Sequence, residues 1–446
     1  MPMNTLPDAR TALPPDDDLR AILHNEVHAR PTARIRLPAL VVYVAVLNDG
    51  VRREDEWAHL KRLPGQDGLR LADLSSSFLR IRLGNCTLKW ERHSEFTRYS
   101  IVQALPEGAG LDAPESPALD TLAVDADWLR AIPGRTVAAI KLAMVIGDIS
   151  NAPATARLGQ QWLGGRSVVA SIMGTYGHSI AVTAFRLRDS GFEHMLVIAP
   201  ASTTETRAGR ISQRLLELET YRLMALRGLP AAKSLAPVLG EAEAALADIT
   251  ARLENKQATD QELLDTLVAL AAKVERATAV HQYRFSATQA YHAIVGQRIA
   301  ELREKPISGT QGIGEFMQRR LTPAIATVAA TAQRLAALSQ RIERTSGLLR
   351  TRVDIATETQ NQQLLAQLTR GQELQLRLQS TVEGLSIAAI SYYVMSLLYY
   401  GAKAAKVAGV PVNPDLFAGA MIPLVLWAVW TTTQRIHKRL HAEQEH

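Results

Sequence analysis

The sequence predicts an α+β, or α/β/α layered, N-terminal domain. It is followed by an all-α region with a long stalk helix and a C-terminal two-helix transmembrane hairpin. Three observations carry that expectation. Up to about residue 200, β-branched apolar runs alternate with short amphipathic stretches and turn residues, the pattern of mixed strands and helices. From Thr322-Pro323 a helical pattern continues without proline until Pro411. Within and beyond it lie two apolar segments, residues 385–402 and 416–433. Each is roughly 18 residues, spanning ~27 Å as a helix, close to the hydrocarbon thickness of a bilayer.

Composition narrows the classes of function. A chain of 446 residues has room for two or three domains. A hydrophobic content of 47% averages a water-compatible body with a small apolar part. The net charge of +6 suits contact with anionic lipid. No Arg/Lys stripe interleaved with aromatics marks a nucleic-acid surface, so no nucleic-acid partner is expected. One cysteine, Cys86, excludes an internal disulfide and fits a reducing compartment. Residues 1–18 are rich in Pro and Asp and are expected to be disordered; they contain no basic and apolar leader pattern. The body is therefore expected on the cytoplasmic side of an inner membrane.

Taken in order, Asp18 caps a short helix over 19–29, which ends at Arg30-Pro31 because a residue before proline disfavours the α region. Residues 40–47 (LVVYVAVL) form a continuous β-branched run, hence a buried strand. A helix over 54–62 ends at Pro64-Gly65. Strands at 78–83, 87–93 and 97–105 follow with short connections, a meander. Residues 106–117 are a Gly/Pro/Glu linker. A helix at 125–131, a strand at 137–146, a helix at 157–163 and strands at 167–173, 179–188 and 192–198 complete a domain over 19–200.

After Pro200 the pattern is helical. A helix over 207–227 stops at Gly228-Pro230, and helices at 231–256 and 260–304 build a region over 207–320. Residues 309–314 are Gly-rich but lack a lysine and lie between helices, which reads as a turn and not a phosphate cradle. Thr322 as N-cap and Pro323 at the first helical position open a stalk over 321–384. Ile325, Val328, Ala332, Leu335, Ser339, Ile342, Ser346, Leu349, Val353 and Ala356 keep a spacing of three and four, a heptad seam. Such a seam pairs the stalk with further copies in a homo-oligomer, or packs it on its own domain. Ser339 and Ser346 weaken the first alternative.

Apolar helices this short can also be core helices, but two in tandem favour a hairpin in the bilayer. Tyr392, Tyr393, Tyr399, Tyr400, Trp427 and Trp430 suit the membrane interface. Arg370 and Arg377 precede the first span, and Arg435, Lys438 and Arg439 occupy the tail over 434–446. The loop over 403–415 holds only Lys403 and Lys406, so both ends are expected on the cytoplasmic side.

Five motifs carry a resemblance: HNEVHARP (residues 24–31), LKWERHSEF (88–96), AGRISQRLLELETYRLMAL (208–226), EFMQRRLTPA (315–324) and TVEGLSIAAISYY (381–393). Over nearly the whole chain they resemble a bacterial family of uncharacterised, membrane-anchored proteins, and the resemblance implies a C-terminal anchor without an activity. The architecture is also similar to that of CorA-type magnesium channels, which carry Tyr-Gly-Met-Asn at the end of the first span. Here Tyr400-Gly401 matches, but Ala402 and Lys403 stand in place of Met and Asn, a departure that argues against Mg²⁺ selectivity.

Two constellations could carry chemistry. His24 and His28, at i and i+4 of a short helix, can present two imidazoles to one metal ion. Glu91, His93 and Glu95 alternate on a strand or its turn. Brought together, His24, His28, Glu91 and His93 would form a His/Glu cluster for a divalent metal. The alternative is a set of buried hydrogen bonds and an ion pair through Arg30 or Arg92. Tyr400, Gly401 and Lys403 mark a candidate pore or loop turn. Glu217, Glu219, Arg214 and Arg222 read as i, i+4 and inter-helix ion pairs and not as catalysts. There is no GxGxxG, P-loop, GxSxG or CxxC pattern, and no cofactor is expected beyond a possible divalent metal. The reading these features favour is a non-enzymatic, membrane-anchored protein with a cytoplasmic sensing or scaffold domain. A CorA-like oligomeric channel or transporter comes second and a membrane-tethered metal-dependent enzyme third.

Overall fold

The computed structural model describes residues 17–20, 23, 33–112, 117–165, 167–255, 258–409, 411 and 413–442. The chain divides into two compact units, Met1–Arg344 and Thr345–His446. Most of the helix expected over 19–29 and nearly all of the segment over 1–18 lie outside the described residues.

The first unit is built on strands β1 (Ala39–Leu47), β2 (Phe78–Leu83), β3 (Cys86–Arg92), β4 (Phe96–Ala104), β5 (Arg135–Ile146), β6 (Val169–Met173), β7 (Ser179–Leu187), β8 (Glu193–Ala199) and β9 (Lys305–Pro306). They form one nine-stranded sheet in the order β2-β3-β4-β1-β5-β8-β7-β6-β9. Only the β5–β8 pair is parallel. Short helices α1 (Arg53–Lys61), α2 (Ala126–Arg130) and α3 (Ala152–Trp162) fall between strands, as the alternating pattern predicts. Asp125 caps α2 through the backbone N–H groups of Asp127 and Trp128.

Every residue of β1 is buried, the behaviour of a strand covered on both faces. Its period-two alternation sends Val41, Tyr43, Ala45 and Leu47 toward helix α4 (Glu205–Leu226), where they meet Ile211, Leu215 and Leu218. Leu40, Val42, Val44 and Val46 face the other way, into a cluster with Leu60 of α1, Trp128 of α2 and Trp162 of α3. The outcome is a three-layer α/β/α arrangement. Each fully buried large apolar side chain stabilises it by ~1.5–3 kcal/mol. The helical region expected over 207–320 shares the first of these cores with the sheet, so the boundary near Pro200 falls inside one compact unit.

Helices α5 (Gly228–Asn255) and α6 (Asp260–Leu302) follow α4. α4 ends before Gly228-Pro230 as expected, and the same residues also start α5, because a proline in the first turn has no helical N–H to lose. Two elements escaped the sequence reading. β9 is a two-residue edge strand against β6, where Pro306 can sit because an edge position needs no ladder donor. Helix α7 (Ile313–Arg320) grows out of the Gly-rich stretch. Its first N–H groups are already satisfied: Ile313 donates to Ser171 Oγ (2.9 Å) and Gly314 to Glu304 Oε1 (2.8 Å).

Helix α8 (Thr322–Val407) runs for 86 residues. Ile325, Val328, Leu335 and Ile342 of the expected seam are buried, joined by Leu338. In the first unit that stripe faces its own chain. Leu335 and Ser339 line a cleft with Phe285 and Gln289 of α6, and Arg334 pairs with Glu243 of α5 at 2.8 Å. Where α5 begins, three helices meet closely: a Cβ built on Gly228 would lie 2.3 Å from Thr288 Oγ1 and 3.3 Å from Val328 Cγ1. Gly228→Ala should therefore overpack this junction and lower stability by ~1–3 kcal/mol. A double-mutant cycle with Thr288→Ala, followed by thermal melting of the detergent-purified chain, checks it. The two substitutions should couple favourably, and strict additivity would show that the contact does not matter.

Candidate functional site

The motif around Glu91 is a hairpin whose polar residues are committed to neighbours. Glu91 on β3 lies directly across from Arg98 on β4. Arg98 donates to Glu91 through Nε (2.5 Å) and Nη2 (2.9 Å), the two-pronged geometry that guanidinium and carboxylate favour. Lys89 Nζ lies 3.1 Å from the same carboxylate. The third prong, Arg98 Nη1, donates to Glu217 Oε1 on α4 at 3.0 Å. Gln213 supplies Glu217 with another hydrogen bond, and Arg298 of α6 lies 2.6 Å from Glu217 Oε2. Arg298 continues to Glu301, which also pairs with Arg214 of α4. Opposite charges thus alternate from the sheet through α4 to α6.

Burial alone would lower Arg98's affinity for its proton, but the Glu91 carboxylate outweighs it and holds the guanidinium well above its ordinary range. For Glu91 and Glu217 burial acts to raise the pKa, and the charge of Arg98 more than offsets it, so both are held below the ordinary carboxylate value. A second buried acid group lies along α4. Glu193 of β8 accepts from Thr183 Oγ1 at 2.9 Å and is nearly sealed from solvent. Arg222 forks onto the neighbouring Glu219. Burial, with the charge of Glu219 added to it, pushes Glu193 well above the carboxylate range.

The remaining expected site residues separate. His93 sits past the end of β3, with its ring stacked on Phe96 at 4.6 Å, and its carbonyl accepts from Asn48 Nδ2. Glu95 pairs with Arg284 of α6 and Arg92 with Glu56 of α1. His24 and His28 lie outside the described residues. Among the described residues, no group of three or more His, Cys, Asp or Glu side chains is placed to hold a metal ion. Arg98 is the residue that sequence reasoning missed. Its signal was its place one hairpin register from Glu91, legible only once the turn length is known.

In the second unit, Tyr400, Gly401 and Lys403 do not form a turn. They lie inside α8, because the Ala- and Lys-rich residues after them favour helix and the first left-handed glycine is Gly409, with φ 95°. Helix α9 (Pro414–Ala442) then starts with Asn413 accepting from the N–H of Asp415, so the expected loop over 403–415 contracts to residues 408–413. Among the described residues, two helices are long and apolar enough to cross a membrane, one ending at Val407 and the other over Pro414–Arg435. Leu397 (72% exposed) and Leu416 (73%) show how openly these segments present apolar side chains. Neither apolar segment contains a charged residue. Four of their hydroxyls turn inward, since Ser396, Thr431, Thr432 and Thr433 each donate to a carbonyl four residues back, whereas the buried Ser391 Oγ has no partner among the described residues.

The profile of a family described as a protein of unknown function (DUF3422) matches residues 15–440. No curated protein and no solved structure matches the chain.

The buried carboxylates set opposite pH behaviour. Glu217, with its folded pKa depressed, contributes stability above the ordinary value of ~4.3 that disappears as pH falls through the folded value. Glu217→Gln, which leaves Arg98 and Arg298 short of a counter-charge, should cost ~3–5 kcal/mol at neutral pH and less in acid. Glu193, with its folded pKa raised, contributes stability below ~4.3 that fades as pH rises toward the folded value. Glu193→Gln should accordingly gain on the wild type by up to ~1.4 kcal/mol per pH unit above that point. Melting curves of both variants across pH test the assignment, and parallel profiles would refute it.

Proposed function

We propose that this chain, which belongs to the family of proteins of unknown function DUF3422, is anchored in the inner membrane by the end of α8 and by α9. Its three-layer domain works on the cytoplasmic side as a sensing or scaffold module and not as an enzyme. The observation that carries this reading is the pair of consecutive helices whose uncharged apolar segments present outward apolar side chains, with four of their hydroxyls bonded to their own backbone. In water each exposed leucine forgoes ~1.5–3 kcal/mol of burial, whereas hydrocarbon removes that deficit. In lipid, a hydroxyl bonded to its own helix avoids the penalty of an unsatisfied polar group. Arg370 and Arg377 before the first span, and Arg435, Lys438 and Arg439 after the second, support cytoplasmic placement of both ends against Lys403 and Lys406.

The partners that fit this reading are the lipid bilayer and further copies of the chain. The first half of the stalk seam packs on α5 and α6, so self-association falls to the part in the second unit, where Leu364, Leu365, Leu368 and Leu378 are exposed. Exposed leucines on a helix favour association with another apolar face. No feature favours a nucleic-acid partner.

The anchor is tested by extracting membranes with alkaline carbonate and by labelling cysteines placed at Ala408 and Glu443 in a Cys86→Ala background. Retention in the membrane, with residue 408 alone reached by an impermeant thiol reagent in spheroplasts, is the expected result. Release by carbonate would sink the anchor, and labelling of residue 443 would invert the topology. Light scattering on the detergent-purified chain should show an oligomer that Leu364→Glu with Leu368→Glu dissociates. A monomer before any substitution removes the association.

A further inference from the structure

Helix α4 carries Arg207, Arg210 and Arg214 at spacings of three and four, so all three project along one stripe. Like charges at these spacings repel by ~0.2–0.5 kcal/mol per pair unless something negative sits among them. Arg214 has Glu301, which it meets through Nε at 3.3 Å, and it also donates to the Glu301 carbonyl. Among the described residues, neither Arg207 nor Arg210 forms an ion pair. All three border a cavity of about 330 Å³, within the roughly 300–1,000 Å³ range of small-molecule sites.

The opposite wall comes from distant parts of the chain. Arg303, at the C-terminal end of α6, adds a fourth guanidinium beside Thr175. Its backbone is left-handed (φ 47°, ψ 46°), a conformation that costs a non-glycine residue ~1 kcal/mol and that glycine would adopt freely. The β6–β7 turn supplies the rest. Gly174 (φ 84°) leaves room for the His178 ring, which a Cβ there would meet at 2.4 Å. Burial, followed by the charges of Arg207, Arg210 and Arg214, lowers the His178 pKa. Tyr176, 96% exposed, stands at the rim with its ring free. Among the described residues Glu301 is the one acid lining this cavity, and Arg298 shares it.

We propose that this cavity binds a phosphorylated small molecule carrying at least two negative charges, held by Arg207, Arg210 and Arg303. Planar guanidinium forks recognise phosphoryl oxygens in pairs, and four of them around one acid leave an uncompensated positive field. The Tyr176 ring at the rim offers a face for a planar group attached to the phosphate. The same chemistry is presented by soluble phosphates and by anionic lipid headgroups. The probe distinguishes these sources.

Calorimetric titration of the full chain in zwitterionic detergent with pyrophosphate and with ADP should give saturable binding that weakens as salt is raised. Arg207→Ala with Arg210→Ala, both exposed positions, should weaken it by about tenfold or more with an unchanged circular dichroism spectrum. Arg207→Lys with Arg210→Lys should recover only part, since charge returns without the fork. Arg320→Ala, in a different cavity, serves as the unaffected control. A tighter affinity for ADP than for pyrophosphate, reduced by Tyr176→Ala, would assign the ring contact. Binding confined to nanodiscs containing cardiolipin, whose two phosphates supply the two charges, and lost in the double alanine variant would assign the lipid headgroup. No response to pyrophosphate, ADP or cardiolipin nanodiscs, or binding that survives the double alanine substitution, overturns the site.

Discussion

Arg98 is a permanent positive charge between a sheet and the helix that covers it, and the layers close only because its charge is answered on both sides. An unpaired guanidinium at that depth would cost several kcal/mol. Glu91 answers from the neighbouring strand and Glu217 from α4, and Arg298 brings in α6. Apolar contacts between the sheet and α4 would tolerate small slides of the helix. A two-pronged pair with a third donor does not, because moving α4 by one turn would strand a buried charge. The network thereby sets the register in which α4 lies on the sheet.

That register has consequences along the same helix. With Glu217 facing Arg98, Glu219 lies beside Glu193, where two acids share one buried environment with Arg222. The Arg207 end of α4 then reaches the β6–β7 turn and the end of α6. One helix thus carries a neutralised face, a glutamate packed against the buried Glu193 of β8 and a row of arginines in sequence. The difference among them is the number of opposite charges that the fold brings within reach.

The second unit follows a different rule. Beyond Asp354 the side chains of α8 are almost all exposed, and in α9 most of the apolar ones are exposed as well, the buried Val425 excepted. A helix with charge on one side and leucine on the other obtains its stability from a neighbour. One with apolar residues nearly all round calls for an apolar surrounding.

Local pattern was enough for much of this chain. The β-branched run of β1 announced burial on both faces, the turn residues marked the hairpins, and the two uncharged apolar runs stood out whatever their surroundings. These properties depend on residues within a few positions of one another, so sequence alone determined them. Residues far apart met only in the fold. Glu91 was legible as a chemically notable residue, but its partner followed from the β3–β4 register, which turned a candidate metal ligand into half of an ion pair. The stalk seam was legible, yet only the packing of α5 and α6 decided that its first half is covered by its own chain. The stripe of arginines could be read from spacing, whereas His178 and Arg303, which complete its cavity, lie at distant points of the chain. Periodicity records which face a residue takes; the closing of the layers decides what that face meets.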